Sequence, residues 1–285
     1  MSLRVTVVHA CQRAGRGGSP TAVVDETSLT EAERRAVPIA AGTSHVVFIS
    51  PEGDRFGRPA VSLRFFTAAG ELPACGHGTV AALAVLAAQA RTPEYEAGLR
   101  SGGRTFLGRA AGSNGRYEAA FDPGPVDLRV PGTGEGEAIL LALGLNRTNA
   151  SARCRIASVG RPRMLVHVAD REALGKLAPD LPHLREACDR LGLLGCYVYS
   201  TPSPDGRAAA RMFAPSIGVP EDIANANSTA CLAAYLADQG FSALAVDMGD
   251  SLWEPSTVTA TTRPGPEGLS VRVGGTATIG AAYLI

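Results

Sequence analysis

Two stretches of the chain, 150 residues apart, repeat one pattern, and the repeat limits the fold more than any other feature. The first runs Glu71-Leu-Pro-Ala74-Cys75-Gly76-His77-Gly78-Thr79 into an apolar segment that reaches Leu86. The second runs Glu221-Asp222-Ile-Ala224-Asn225-Ala226-Asn227-Ser228-Thr229 into one that reaches Leu236. Glu, Ala, Thr and the final Leu coincide without a gap, and each block follows an Arg-Xaa-Phe segment, Arg64-Phe-Phe66 or Arg211-Met-Phe213. One supersecondary unit used twice implies two pseudo-symmetric lobes. Both helices are apolar nearly all round, so each is expected inside its own sheet with only its N-terminus open. An open N-terminus presents unpaired N–H groups and a partial positive charge, and two facing each other would make a socket for a small anion.

A chain of 285 residues with 45% apolar and 19% charged side chains has the balance of a soluble globular protein of one large or two ordinary domains. Its 27 basic and 27 acidic residues cancel, and no basic run argues for nucleic acid or an anionic membrane as partner. No secretion-type leader opens the sequence, and the longest apolar stretch, residues 79–90, is too short to span a bilayer, so a cytoplasmic protein is expected. Cys11, Cys75, Cys154, Cys188, Cys196 and Cys231 form no CxxC pair and no metal-type spacing with the five histidines. Reduced thiols fit better than a disulfide framework, and no metal is expected. The glycine-rich stretch 15–18 has neither a dinucleotide nor a P-loop frame, so no cofactor is expected either.

Strand-like composition covers residues 3–8, 21–24, 46–49, 61–67, 104–107 and 117–121, then 157–159, 164–168, 196–199 and 207–213. Helices are expected over 28–41, opening on a capping pattern at Ser28, over 79–90, and over 134–143, 170–177, 181–191 and 229–239. Residues 271–275 and 276–284 read as a closing hairpin hinged on glycine. The break Asp122-Pro-Gly-Pro125 divides the chain into lobes 1–121 and 126–285, the last strand free to pair back onto the first lobe. The fold class is α/β (α+β): in each lobe a mainly antiparallel sheet wraps a central helix.

Cys75 stands just ahead of a helix start, where a thiolate is stabilised, and the flanking Gly76 and Gly78 leave backbone amides approachable. A buried cysteine in a tight glycine turn is the competing reading. His77 is placed to bond substrate or thiol. His45 reads as a loop residue between helix and strand, a common place for a working side chain, although a surface histidine is the bland alternative. Asp222 joins Cys75 and His45 as a catalytic candidate, while Gly76, His77, Gly78, Asn225, Asn227 and Ser228 are candidates for substrate binding. Glu71 and Glu221 are read as complements to the helix dipoles.

The whole chain resembles the phenazine-biosynthesis (PhzF-like) isomerases, members of the diaminopimelate epimerase fold. The resemblance covers Gly18-Ser-Pro-Thr-Ala-Val-Val24, where that family has Gly-Asn-Pro-Ala-Ala-Val, then Phe66-Thr67, Glu71-Leu-Pro and Gly76-His77. It continues in Ala169-Asp-Arg-Glu-Ala-Leu174, Arg211-Met-Phe-Ala-Pro215, Gly218-Val-Pro-Glu-Asp222, Leu232-Ala-Ala-Tyr-Leu236 and Val271-Arg-Val-Gly-Gly275. It implies two lobes, each a sheet around a central helix, with the active site between them. Two departures stand out. Where the family carries its catalytic glutamate in Ser-Glu-Thr, this chain has Ser44-His45-Val46. Where the family has Ala-Gly-His-Pro, this chain has Cys75-Gly76-His77-Gly78, closer to the proline racemase branch, whose partner thiol would fall at Asn225.

Asn225 is neither acid nor base, which disfavours a two-thiol racemase. A single base that lifts a proton and returns it along a conjugated system needs one positioned side chain, and an unperturbed imidazole titrates near neutrality. The first reading is therefore a cofactor-independent isomerase that moves a proton, and hence a double bond, in a small unsaturated amino or cyclic carboxylic acid. The resemblance extends this to antibiotic biosynthesis. The alternatives are an epimerase or racemase using Cys75 and His45 as opposed bases, and a catalytically silent small-molecule binding protein. The partners expected are a small carboxylate substrate and a second copy of the chain in a homodimer.

Overall fold

The computed structural model describes residues 3–55, 57–132, 134–146, 153–265 and 268–285. Two compact units emerge, one of residues 1–122, 254–257 and 272–285, the other of residues 123–253 and 258–271. Among the described residues no helix is long and apolar enough to cross a membrane.

The first unit contains β1 (Arg4–Gln12), β2 (Ser19–Asp25), α1 (Glu31–Ala41), β3 (His45–Arg55), β4 (Arg58–Thr67), β5 (Gly70–Leu72), α2 (Gly76–Ala90), β6 (Glu94–Ser101), β7 (Arg104–Ser113) and β8 (Arg116–Phe121). The second contains β9 (Asp127–Arg129), α3 (Glu135–Ala142), β10 (Cys154–Val159), β11 (Arg161–Val168), α4 (Arg171–Gly175), α5 (Leu181–Leu191), β12 (Cys196–Ser200), β13 (Arg207–Ala214), β14 (Val219–Asp222), α6 (Ala226–Ala237) and β15 (Ala243–Met248). The long strands β16 (Ser256–Gly265) and β17 (Gly268–Leu284) contribute residues to both.

Strand pairing in the first unit closes on itself. β1 pairs antiparallel with β2, β2 parallel with β3, β3 antiparallel with β4, and β4 parallel with β6. β6, β7 and β8 continue antiparallel, and β17 joins β8 back to β1. Inside this ring runs α2, in contact with β1, β2, β3, β6, β7 and β8 and buried without interruption from Gly76 to Ala87. A helix enclosed on every side must be apolar all round and largely small, which Ala81, Ala82, Ala84 and Ala87 satisfy. α1 packs on the outer face of the sheet, where Val37 and Ala41 meet Val5, Ala22, Val24, Val46, Phe48 and Phe66.

The second unit repeats the order. β11 and β12 pair in parallel, β12 and β13 antiparallel, β13 takes β14 antiparallel and β15 parallel, and α6 packs against β10, β11 and β15. Its outer layer is α3, α4 and α5 on a cluster that includes Ile139, Leu140, Met164, Val166, Leu184, Cys188 and Phe213.

Four expectations change. The closing hairpin is instead the single strand β17, in which Thr276, Ala277 and Thr278 pair with Gln12, Ala10 and His9 on one side and Glu118, Tyr117 and Arg116 on the other. Its glycines serve close approach rather than a turn: a Cβ on Gly274 would stand 2.1 Å from the Ala119 carbonyl oxygen. The cap of α1 is Thr30 rather than Ser28, in a box with Glu33. α2 and α6 begin three residues earlier than expected, at Gly76 and Ala226, so their caps are Cys75 and Asn225. Strands β5, β6, β9, β14, β15 and β16 lie outside the expected strands.

Candidate active site

His45 opens β3 and is no loop residue. Side chains alternate across a strand, and Val46 and Phe48 face α1, so His45 projects to the other face, toward α2. There its ring meets that of His77 edge to face, with centroids 4.4 Å apart and planes at 83°. Cys75 Sγ lies 3.3 Å from His77 Nε2. One donor atom from each of the three residues falls within 4.8 Å of the other two, and all three side chains are buried, at 5%, 6% and 3% exposure for His45, Cys75 and His77.

Ser44 completes the group, its Oγ 2.8 Å from His45 Nδ1. Burial, and after it the neighbouring His77, hold the His45 pKa well below the usual histidine range. His45 is therefore a neutral imidazole at physiological pH, and the expectation that it titrates near neutrality is corrected. Its desolvation outweighs any stabilisation of the cation.

The thiol is not a cap. Cys75 has extended backbone (φ −143°, ψ 115°) and its side chain makes no capping hydrogen bond, while its carbonyl accepts from Thr79 N at 2.9 Å and Thr79 Oγ1 at 2.8 Å. Gly78 makes room for it: a Cβ there would stand 3.0 Å from Cys75 Sγ and 3.0 Å from the Phe65 ring. Gly76, His77 and Gly78 all lie in the buried first turn of α2.

In the second unit Asp222, Asn225, Asn227 and Ser228 gather at the start of α6. Asn225 is a working cap: its Oδ1 accepts from Ser228 N at 2.9 Å and its Nδ2 donates to Asp222 Oδ2 at 2.9 Å. The Ser228 amide is thus used internally, and its side chain is fully buried. Arg163 Nη1 stands 3.5 Å from Ser228 Oγ. Sequence reasoning missed Arg163, Ser44 and Phe65; only Ser44 had a signal, its place beside His45.

Glu71 and Glu221 are each held by an arginine. Glu71 forms a bidentate pair with Arg64 at 2.8 Å through both nitrogens, and Glu221 one with Arg211 at 2.9 and 2.7 Å. Each arginine also lies over a phenylalanine, Arg64 over Phe66 at 5.2 Å and Arg211 over Phe213 at 4.8 Å. The Arg-Xaa-Phe and Glu signature of the repeat is thus one structural clamp, made twice.

The model of the phenazine biosynthesis-like protein family matches residues 10–282. An uncharacterized isomerase of Deinococcus radiodurans is 30% identical over 235 residues, covering 79% of this chain and 73% of its own. Among solved structures, a predicted epimerase from Pseudomonas aeruginosa is 26% identical with a TM-score of 0.82, covering 99% of both chains. A hydroxyproline epimerase from Agrobacterium vitis, solved with bound trans-4-hydroxy-L-proline, superposes with a TM-score of 0.66 at 11% identity over 100% of this chain and 92% of its own, a likeness of fold alone. The paired sheet-and-helix units and the match over nearly the whole length place this chain in the phenazine biosynthesis-like family, as an isomerase with the diaminopimelate epimerase fold.

Proposed function

We propose that this isomerase moves a proton, and with it a double bond, within a small unsaturated amino or cyclic carboxylic acid, without a cofactor and in the service of antibiotic-type secondary metabolism. The observation that carries the reading is the neutral, buried His45 beside His77, which in turn contacts the Cys75 thiol at 3.3 Å. His45 breaks a substrate C–H bond by taking the proton on its free nitrogen. The electron pair moves along the conjugated system, and the same nitrogen returns the proton to a different carbon. Ser44 Oγ holds the ring through Nδ1, fixing which nitrogen faces the substrate. The first turn of α2 offers backbone N–H groups to the substrate carboxylate.

Opposed bases fit less well. Two bases on opposite faces of one carbon, each in reach of its proton, stand roughly 6 Å apart. One nitrogen of His45 lies within 4.8 Å of Cys75 Sγ, closer than that separation. The six free cysteines agree with a reducing, cytoplasmic setting.

The test is hydrogen exchange in deuterated water with EDTA present, read by NMR on cyclic unsaturated amino acids. Wild type is expected to shift the double bond and wash deuterium into the new C–H position, and His45→Gln to lose both by at least a hundredfold, about 2.7 kcal/mol of barrier. Equal rates in the two proteins would remove His45 as the base. Exchange at the α-carbon without a double-bond shift would favour epimerisation.

A further inference from the structure

His45, Cys75 and His77 are two imidazoles and a thiol in one buried group, a donor set for a soft or borderline cation. Bonds of about 2.0–2.3 Å at tetrahedral angles put neighbouring donors on zinc roughly 3.4–3.6 Å apart. Cys75 Sγ and His77 Nε2 already stand at 3.3 Å. The widest separation in the set is no more than 4.8 Å, so closing it takes a shift of roughly 1 Å at His45. Ser44 Oγ stands 2.8 Å from His45 Nδ1, so ligation through Nε2 would match the arrangement by which outer partners orient metal-bound histidines. Three protein ligands leave a fourth position open.

We propose that His45, Cys75 and His77 bind a thiophilic divalent cation of the zinc type, and that the bound cation holds the isomerase inactive. Coordination exchanges the Cys75 S–H bond for a metal–sulfur bond, releases that proton to solvent, and moves no electron between atoms. The inhibitory half rests on the reading of His45 as the base, since the cation takes the lone pair that would accept the substrate proton.

Reduced, EDTA-treated, full-length protein is titrated with Zn²⁺ by calorimetry in buffers of different ionisation enthalpy, and with Co²⁺ by absorption. One equivalent is expected, with proton release and a near-ultraviolet thiolate-to-cobalt charge-transfer band. Cys75→Ser should abolish the band and weaken Zn²⁺ at least tenfold, and Ser44→Ala should weaken it about tenfold through loss of the outer partner. No uptake at micromolar Zn²⁺, or a band that persists in Cys75→Ser, would overturn the site. Exchange activity undiminished by a saturating equivalent of Zn²⁺ would overturn the inhibitory role. Metal binding is read without substrate and exchange is read under EDTA, so the two proposals fail separately.

Discussion

Replacing Gly78 by alanine tests whether the thiol and the glycine form one packing unit. The new Cβ would stand 3.0 Å from Cys75 Sγ and from two carbons of the Phe65 ring, against an ordinary contact range of 3.4–4 Å. Overpacking of that kind costs about 1–3 kcal/mol, and the helix gains at most ~1 kcal/mol from alanine over glycine, so the net loss is about 1 kcal/mol. In a Cys75→Ala background the sulfur contact is gone and only the Phe65 ring remains, so the same substitution should cost close to nothing. The coupling expected in a double-mutant cycle is about 1 kcal/mol, well outside the ~0.3–0.5 kcal/mol within which independent sites add. Urea midpoints at constant slope for the four proteins, followed by far-ultraviolet circular dichroism, measure it. Additivity within ~0.3 kcal/mol would show that Phe65 alone sets the penalty and that Gly78 is not there for the thiol.

Acid sensitivity should trace to His45. Its folded pKa lies below the unfolded value of about 6.5, so its contribution is fully present above that pH and is lost as pH falls toward the folded value, with a slope of up to ~1.4 kcal/mol per unit. The stability difference between wild type and His45→Gln should therefore change from pH 8 to pH 5, against wild type; a constant difference would show that His45 does not resist protonation. Asn225→Ala should cost about 1 kcal/mol by removing the cap on Ser228 N, whereas Asn225→Ser, another good cap, should recover most of it. The two Arg–Glu clamps should differ. Glu221→Ala strips a partner from Arg211, whose side chain is only 13% exposed, and should cost about 3 kcal/mol, while Glu71→Ala breaks a pair whose side chains are 43% and 42% exposed and should cost under ~1 kcal/mol. Equal losses in urea unfolding would refute the burial argument.

The repeat made the architecture readable because its apolar helices and two-sided strands carry unbroken hydrophobic runs, such as Val46, Val47, Phe48 and Ile49 in β3. What stayed hidden had weaker physics in the sequence. β6 reads Glu-Tyr-Glu-Ala-Gly-Leu-Arg-Ser, with only Ala97, Leu99 and Ser101 fully buried, and nothing in that composition favours a strand. β16 buries Ser256, Val258 and Ala260 between threonines, a pattern as faint. The first turn of α2 was hidden because Gly76 and Gly78 are poor helix formers, yet a Cβ at Gly78 would crowd both the Cys75 thiol and the Phe65 ring. His45 was placed at the right point of the chain but in the wrong environment. Sequence gives an imidazole its ordinary pKa, and only the fold, by burying it against His77, takes that away.

The difference between the two repeats at one register position has a chemical reason. Cys75 and Asn225 occupy the same cap, and in both units the threonine four residues on turns its hydroxyl to the cap carbonyl, Thr79 at 2.8 Å and Thr229 at 3.0 Å. Asn225 spends its side chain on the Ser228 amide and on Asp222, so that end of the second unit is satisfied from within. Cys75 makes no such bond and turns toward His77 instead. Giving up the cap forgoes about 1 kcal/mol of helix stability in the first unit. Without a side chain of its own on the helix start, the Cys75 end places its thiol in the buried group with His45 and His77. The same position thus carries a helix cap in one copy of the repeat and a thiol turned to His77 in the other.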